Sequence, residues 1–341
     1  MKKATIKDVA KKANVSVTSV SFIFNGKDYK VSQETKDVVL KAAKELGYRP
    51  DQTARSLRTH KTNTVGFICP DICNGYYSTI AKKLEDALNE ENYTLIIGNS
   101  AYTFEKEEKY INEFSSRGVD CLVIAPCADS LKDRASESKL ELALKNSGLR
   151  YLIVDRRTKF NKHFEIANDD VFGAKLMTNY LIDNGYQHIA CITGPNNVSS
   201  SIDRLKGYKE ALKEHNIDFD ESLIKEGNYS NQSGISCIKS LLNEKREFDA
   251  VFAFNDLMAY GVYQVLNDNG INIPNEIAVV GCDDLYFSSL INPRLTSIKP
   301  SLDEMVAEVA KFVLNNENFF GTKLIKPSLS IKDSVRNKNH A

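Results

Sequence analysis

Apolar residues recur at helical spacing from the start of the chain. Ile6, Val9, Ala10 and Ala13 share one face of a helix that Thr5 can cap and Asn14 can end. Ser16 can cap a second helix, Val17 to Phe24, with Val20, Ile23 and Phe24 on one face and Val17, Thr18 and Ser21 pointing elsewhere. A third runs from Ser32 to about Leu46; Val38, Val39, Ala42 and Leu46 supply its core face and Gly47 its stop. The tight join between the first two reads as helix-turn-helix. A plain three-helix bundle with a solvated polar face has the same spacing, so the pattern alone leaves both open.

Beyond Thr64 the period changes. Short apolar runs (VGFICP, TLIIGNS, CLVIAP, YLIVD, IACITG, AVFAFND, IAVVGCDD) alternate with amphipathic helical stretches such as TIAKKLEDALNEE and FEKEEKYINEFSSR. Such alternation predicts parallel sheets with right-handed crossovers and sites at the C-terminal strand ends. Cys121-Leu-Val-Ile-Ala-Pro126 and Val251-Phe-Ala-Phe-Asn255 echo each other in layout, consistent with two similar lobes. The expected architecture is an all-α helix-turn-helix head over 1–49, a linker over 50–62 and an α/β body of two lobes over 63–341.

Charge sharpens this division. The 341 residues carry 45 basic and 45 acidic side chains, yet through Lys61 there are 14 Lys and Arg against 6 Asp and Glu. A basic head on an acidic body fits a polyanion-binding module joined to something with another role. There is no run of eighteen apolar residues, and Met-Lys-Lys leads into an amphipathic segment rather than a leader's apolar core, so a cytoplasmic location at the nucleoid is expected. The seven cysteines form no C-x-x-C pair; Cys69, Cys121, Cys191 and Cys282 lie in or beside strand-like runs and read as reduced core thiols. Neither a metal site nor a cofactor is expected.

The run T-I-K-D-V-A, the A-x-V-S turn, T/S-V-S at 19–21, the closing Asn25-Gly26 and the later Leu46-Gly47-Tyr48-x-Pro50 together resemble the N-terminal domain of the lactose/galactose repressor family. The resemblance implies that VSVTSVSFIFNG is a turn plus recognition helix lying in the DNA major groove. Val17 and Thr18 then occupy base-reading positions, Thr18 able to hydrogen-bond a base edge and Val17 to press on a thymine methyl. Ser16, Ser21 and Asn25 would contact phosphates or hold register, and Thr5 joins the candidate DNA contacts. Phe22 stands where the family usually carries an arginine and cannot make the bidentate contact with guanine; apolar contact is expected there instead. In R49-P-D-Q-T-A-R-S-L-R58, Ala54, Arg55 and Leu57 resemble the family's hinge helix, whose leucine, here Leu57, wedges into the minor groove and bends the DNA. Asp51 replaces the usual Asn.

The resemblance extends over nearly the whole chain, with the body matching a periplasmic-binding-protein-like effector domain. Candidate effector contacts are Tyr76 and Tyr77 in DICNGYY, Asp155 and Arg156 in YLIVDRR, Arg204 in DRLKGY, Asn255 in AFNDL and Asp283 in VVGCDD. Carboxylates and Asn share hydroxyl protons, arginine donates a planar fork and tyrosine faces cover C–H surfaces, a set suited to a small carbohydrate such as a pentose or hexose. A purine or a phosphorylated partner protein stays open, since some family members use these. Asp256 and Asp284 read as helix caps, and Gly75 replaces the family's usual Pro. An enzyme is disfavoured: there is no G-x-x-x-x-G-K-[ST] loop, G-x-S-x-G elbow or G-x-G-x-x-G. A sugar-binding protein without regulatory function is the other rival, countered by the basic head. The tail SLSIKDSVRNKNHA lacks the leucine heptads of the family's tetramers, so the expected assembly is a homodimer on palindromic operator DNA.

Overall fold

The computed structural model describes residues 4–24, 28–49, 61–160, 164–315 and 320–340. They fall into two compact units, 1–62 and 63–341. The first is the helical head. Helix α1 (Ile6–Ala13) starts with a capping box in which Asp8 N–H bonds the Thr5 hydroxyl and Asp8 Oδ2 accepts from Thr5 N at 2.8 Å; it ends on Asn14 in the left-handed region (φ 52°). Helix α2 (Val17–Phe24) begins where Ser16 Oγ accepts from Ser19 N at 3.0 Å, and α3 (Gln33–Glu45) where Ser32 caps Thr35. Val9, Val20 and Val39 are fully buried at the centre of this unit, with Ala10, Ala13, Ile23, Ala42 and Ala43 around them. Val38 does not join them: it is 45% exposed, because the inward stripe of α3 runs through Val39, Ala42, Ala43 and Leu46 and Val38 falls outside it.

The second unit holds two parallel sheets. In lobe 1, β1 (Thr64–Cys69), β2 (Thr94–Asn99), β3 (Cys121–Ile124), β4 (Tyr151–Val154), β5 (Phe164–Asn168) and a late strand β11 (Gly321–Ile325) are ordered β11-β5-β4-β3-β1-β2, all parallel. In lobe 2, β6 (Ile189–Thr193), β7 (Ile224–Glu226), β8 (Ala250–Ala253), β9 (Ala278–Cys282), β10 (Thr296–Lys299) and β12 (Ser328–Ser330) are ordered β12-β10-β9-β8-β6-β7, with only β12 antiparallel. The echo between the CLVIAP and AVFAF runs has a structural meaning: β3 and β8 hold the same place in their respective sheets.

Helices α4 (Gly75–Glu90), α5 (Phe104–Arg117), α6 (Arg134–Ser147) and α11 (Leu302–Leu314) belong to lobe 1; α7 (Asp170–Asp183), α8 (Ser199–Glu214), α9 (Asn231–Asn243) and α10 (Asp256–Asp268) belong to lobe 2. The central strands are buried on both faces, as helix-covered parallel sheets require. Cys69, Cys121, Cys191 and Cys282 are free and buried among them. The chain passes between lobes at 168–170, 299–302 and 325–328, which leaves three short connections about which the lobes can rotate. No helix among the described residues is long and apolar enough to cross a membrane.

Candidate functional site: the interlobe cleft and the exposed face of the second head helix

Strand C-termini from both lobes converge on one cleft, and the backbone there is unusual. Asp155 follows β4 with φ 69°, and Asp283 follows β9 with φ 117°; Tyr229, on the loop after β7, has φ 68°. Non-glycine residues in the left-handed region cost about 1–3 kcal/mol each and persist where surrounding structure holds them. Here they turn side chains back over the sheet ends. The cleft is lined by Asn74, Tyr76, Tyr77, Tyr102, Asp155, Arg156, Ser200, Arg204, Tyr229, Asn255 and Asp283, so it gathers all seven effector-contact candidates, scattered over more than two hundred residues of sequence.

From lobe 1, the buried Asp155 accepts a hydrogen bond from Tyr77 OH at 2.9 Å and faces the Arg156 guanidinium at 3.7 Å. Arg156 Nη1 donates to Pro126 O at 2.8 Å, while its Nε has no hydrogen-bond partner. Tyr76 OH accepts from Asn168 Nδ2 at 2.9 Å, and its ring meets that of Tyr77 edge-on at 5.2 Å. Burial, with the nearby Asp155 charge adding to it, holds the Tyr76 phenol well above its ordinary range, so it stays neutral.

From lobe 2, Arg204 is 5% exposed, not a surface residue; its Nε pairs with Asp170 at 2.8 Å and its Nη1 bonds Phe254 O. Burial raises the Asp170 carboxyl to about 6 even with Arg204 working against it. Asn255 caps α10 through its Oδ1 and donates its Nδ2 to Tyr229 O at 2.9 Å, which fixes the Tyr229 turn. Burial drives the Asp283 carboxyl well above the usual carboxylate range, against the opposing pull of Arg204.

Two neighbours have other duties than helix capping. Asp256 is fully buried and accepts from Leu285 N, Ser288 Oγ and Ser297 Oγ, tying down the turn after β9, while its predecessor Asn255 does the capping. Asp284 pairs with Lys332 at 2.5 Å, so the adjacent carboxylates of Asp283 and Asp284 do not act together. Gly75 opens α4 at a point where a Cβ would sit 3.1 Å from Leu285 of lobe 2; the missing side chain lets the lobes pack closely. The cleft also holds Asn74, Tyr102, Ser200 and Tyr229, which the sequence motifs do not single out. Asn74 caps α4 and Ser200 lies in the first turn of α8, both legible as helix-start residues, but no sequence signal places Tyr102 or Tyr229 in the cleft.

In the head, Val17 and Thr18 stand exposed in the first turn of α2, with Ser21 and Phe22 one turn further along the same side. Ser16 holds the turn through its bond to Ser19 N, and Thr5 is engaged in its capping box. Asn25, Pro50, Asp51, Ala54, Arg55 and Leu57 lie outside the described residues.

With a helical head whose second helix has an exposed first turn, and a two-lobed α/β unit with a cleft, the chain matches known proteins at both ends. The family model for bacterial regulatory proteins, lacI family, matches residues 5–51, and that for a periplasmic binding protein-like domain matches 178–335. The HTH-type transcriptional repressor PurR of Vibrio atlanticus (strain LGP32) is 33% identical over 295 residues, 86% of each chain. The chain belongs to the LacI family. Among solved structures, the Lac repressor dimer bound to operator and the anti-inducer ONPF superposes with a TM-score of 0.86 at 25% identity, covering 98% of this chain and 100% of that one. A transcriptional regulator CelR–cellobiose complex superposes at 0.72 with 26% identity, covering 97% and 100%. These LacI-family relatives are transcriptional regulators rather than enzymes, and this chain is accordingly a DNA-binding transcriptional regulator.

Proposed function

We propose that this LacI-family regulator represses transcription as a cytoplasmic homodimer on a palindromic operator, and that a neutral pentose or hexose bound in the interlobe cleft sets its operator affinity. In the head, Val17 and Thr18 read base edges, Ser16, Ser21 and Asn25 fix position on the phosphates, and Ala54 and Leu57 enter the minor groove. In the body, Tyr76, Tyr77, Asp155, Arg156, Arg204, Asn255 and Asp283 hold the effector.

The observation that carries the effector class is the charge already present in the cleft. Each of the two guanidiniums already has a carboxylate partner, Arg156 facing Asp155 and Arg204 paired with Asp170, while burial favours the neutral form of the Asp283 carboxyl. Both cations are compensated before any ligand arrives, so nothing invites a phosphate or carboxylate. What remains available is a set of hydrogen-bonding groups walled by tyrosine rings, which suits hydroxyls and C–H faces. The CelR–cellobiose neighbour supports the same class.

The free space left in the cleft is only about 30 Å³, far below the roughly 300–1,000 Å³ of ordinary ligand sites. A sugar therefore enters only when the lobes part, and its binding is tied to their rotation. Arg157 N donates to Ser199 Oγ at 2.8 Å across the lobes, the Arg157 guanidinium meets Asp203, and Asn197 Nδ2 donates to Ala128 O at 2.8 Å. These contacts break on opening. Coupling of about 1–3 kcal/mol between the two sites changes operator affinity roughly 5- to 150-fold, provided the sugar prefers one arrangement of the lobes.

A thermal-shift panel of pentoses, hexoses, disaccharides, sugar phosphates and purines tests the class. A ligand at 100 times its dissociation constant stabilises the body by about 2.7 kcal/mol. Neutral sugars giving the shift support the reading; a shift from phosphorylated sugars or purines alone defeats it.

A further inference from the structure

The DNA-facing helix α2, VTSVSFIF, carries no charged residue, an odd composition for an element that approaches a polyanion. The structure supplies a cation from elsewhere. A single 3-10 turn over Asp28–Lys30 follows α2, and Lys30 Nζ stands 5.2 Å from the Phe22 ring centroid and 5.9 Å from that of Tyr29. Phe22 is half-buried and lies outside the cluster that forms the head's core, and Tyr29 is 77% exposed. Neither ring is needed to fill the interior, yet both flank one ammonium group.

We propose that Phe22 is a platform that positions Lys30 as a phosphate contact, returning to the DNA face the positive charge that α2 lacks. The proposal rests on the placement of α2 in the major groove. When the N-terminal turn of such a helix reaches base edges, its later turns rise toward the groove wall. Phe22 is in the second half of α2, so a cation carried on its ring meets the backbone rather than a base. Lysine suits that position because its ammonium is a compact charge that serves a phosphate from many angles. Phe22 is then a positioning residue, Lys30 the contact, and the base pair opposite Phe22 gains no selectivity from the pair.

The test uses full-length protein, a duplex selected from a randomised palindromic library, its single-base variants and a scrambled duplex, with binding followed by fluorescence anisotropy across a salt series. Lys30→Ala lowers the slope of log affinity against log salt by about 0.9 per head, equivalent to roughly eight-fold in affinity per head at 0.1 M salt. The loss is the same on every duplex. Phe22→Leu, which keeps apolar bulk but removes the π-face, costs about two- to five-fold per head, the range for an exposed cation–π contact, and costs nothing further in the Lys30→Ala background. Lys30→Arg retains binding. An unchanged salt slope in Lys30→Ala, a loss confined to one base variant, or additive effects of the two substitutions overturns the proposal. Thr18→Ala separates the claims: it flattens selectivity among the base variants with the salt slope intact if α2 reads the groove, whatever Lys30 does. Unchanged melting of the variants shows that the head stays folded.

Discussion

Replacing Arg204 by alanine separates what holds the cleft together from what binds there. Arg204 Nε is 2.8 Å from Asp170 Oδ1, and both side chains are nearly inaccessible, at 5% and 7%. Removing one partner of such a pair costs about 3–5 kcal/mol, because the other is left buried and uncompensated. At roughly 2–4 °C per kcal/mol for a domain near this size, the body's melting temperature falls by about 10 °C. The loss should depend on pH. Burial already raises the Asp170 carboxyl to about 6 with Arg204 in place; without the guanidinium it rises further. A carboxyl raised in the folded state contributes stability at low pH and loses it as pH climbs through the folded value. Hence the Arg204→Ala penalty is larger at pH 8 than at pH 5, where Asp170 takes a proton cheaply. Asp170→Asn in the Arg204→Ala background recovers most of the stability but not effector binding, because the cavity-facing guanidinium is still missing. Urea denaturation at the two pH values reads the effect. A penalty below about 1 kcal/mol, or one equal at pH 5 and pH 8, refutes the reasoning.

Three further outcomes are expected. Glu107 is fully buried, accepts from Cys127 N at 2.8 Å and from Ser130 Oγ, and burial pushes its carboxyl up to about 7; the wild-type protein therefore loses stability from this group as pH rises from about 4.5 through 7, and Glu107→Gln removes about 3 kcal/mol of that slope, measured by denaturation across the window. Asp155→Asn keeps a hydrogen-bonding group beside Tyr77 and Arg156 and so keeps the fold, but it abolishes the operator response to sugar while basal operator binding stays within two-fold, read by anisotropy. Leu57→Ala tests the proposed minor-groove role and is expected to do the reverse: operator affinity drops by about ten-fold or more, while the thermal shift with sugar is unchanged.

The head's helices are legible in the sequence because capping residues bracket them. Thr5, Asn14, Ser16 and Ser32 stand where α1, α2 and α3 begin or end. Val38 departs from its expected place in the core, since an apolar residue beside the stripe looks like part of it until the rotation of α3 is known. In the body, apolar runs mark β1, β2, β3, β4, β6, β8 and β9, whereas β7, β11 and β12 are edge strands and the internal β5 (FEIAN) and β10 (TSIK) have their apolar residues interrupted by polar ones. The cleft is readable through residues at strand ends within recognisable motifs. Tyr229 and Tyr102 are not, because loop backbone with positive φ, and not a pattern of residue types, delivers them to the site. The strap between lobes at Arg157, Ser199 and Asp203 is likewise a product of three-dimensional closure.

Coupling between a sugar in the cleft and the hold on DNA is the core of the proposed function. It is tested most directly by titrating the full-length protein onto its selected palindromic duplex with and without a saturating amount of the neutral sugar that shifts its melting, alongside Asp155→Asn. The expected result is a 5- to 150-fold change in operator affinity for the wild-type protein, the range of about 1–3 kcal/mol of coupling, and none for Asp155→Asn. Equal affinity with and without a sugar that demonstrably binds the cleft contradicts the claim.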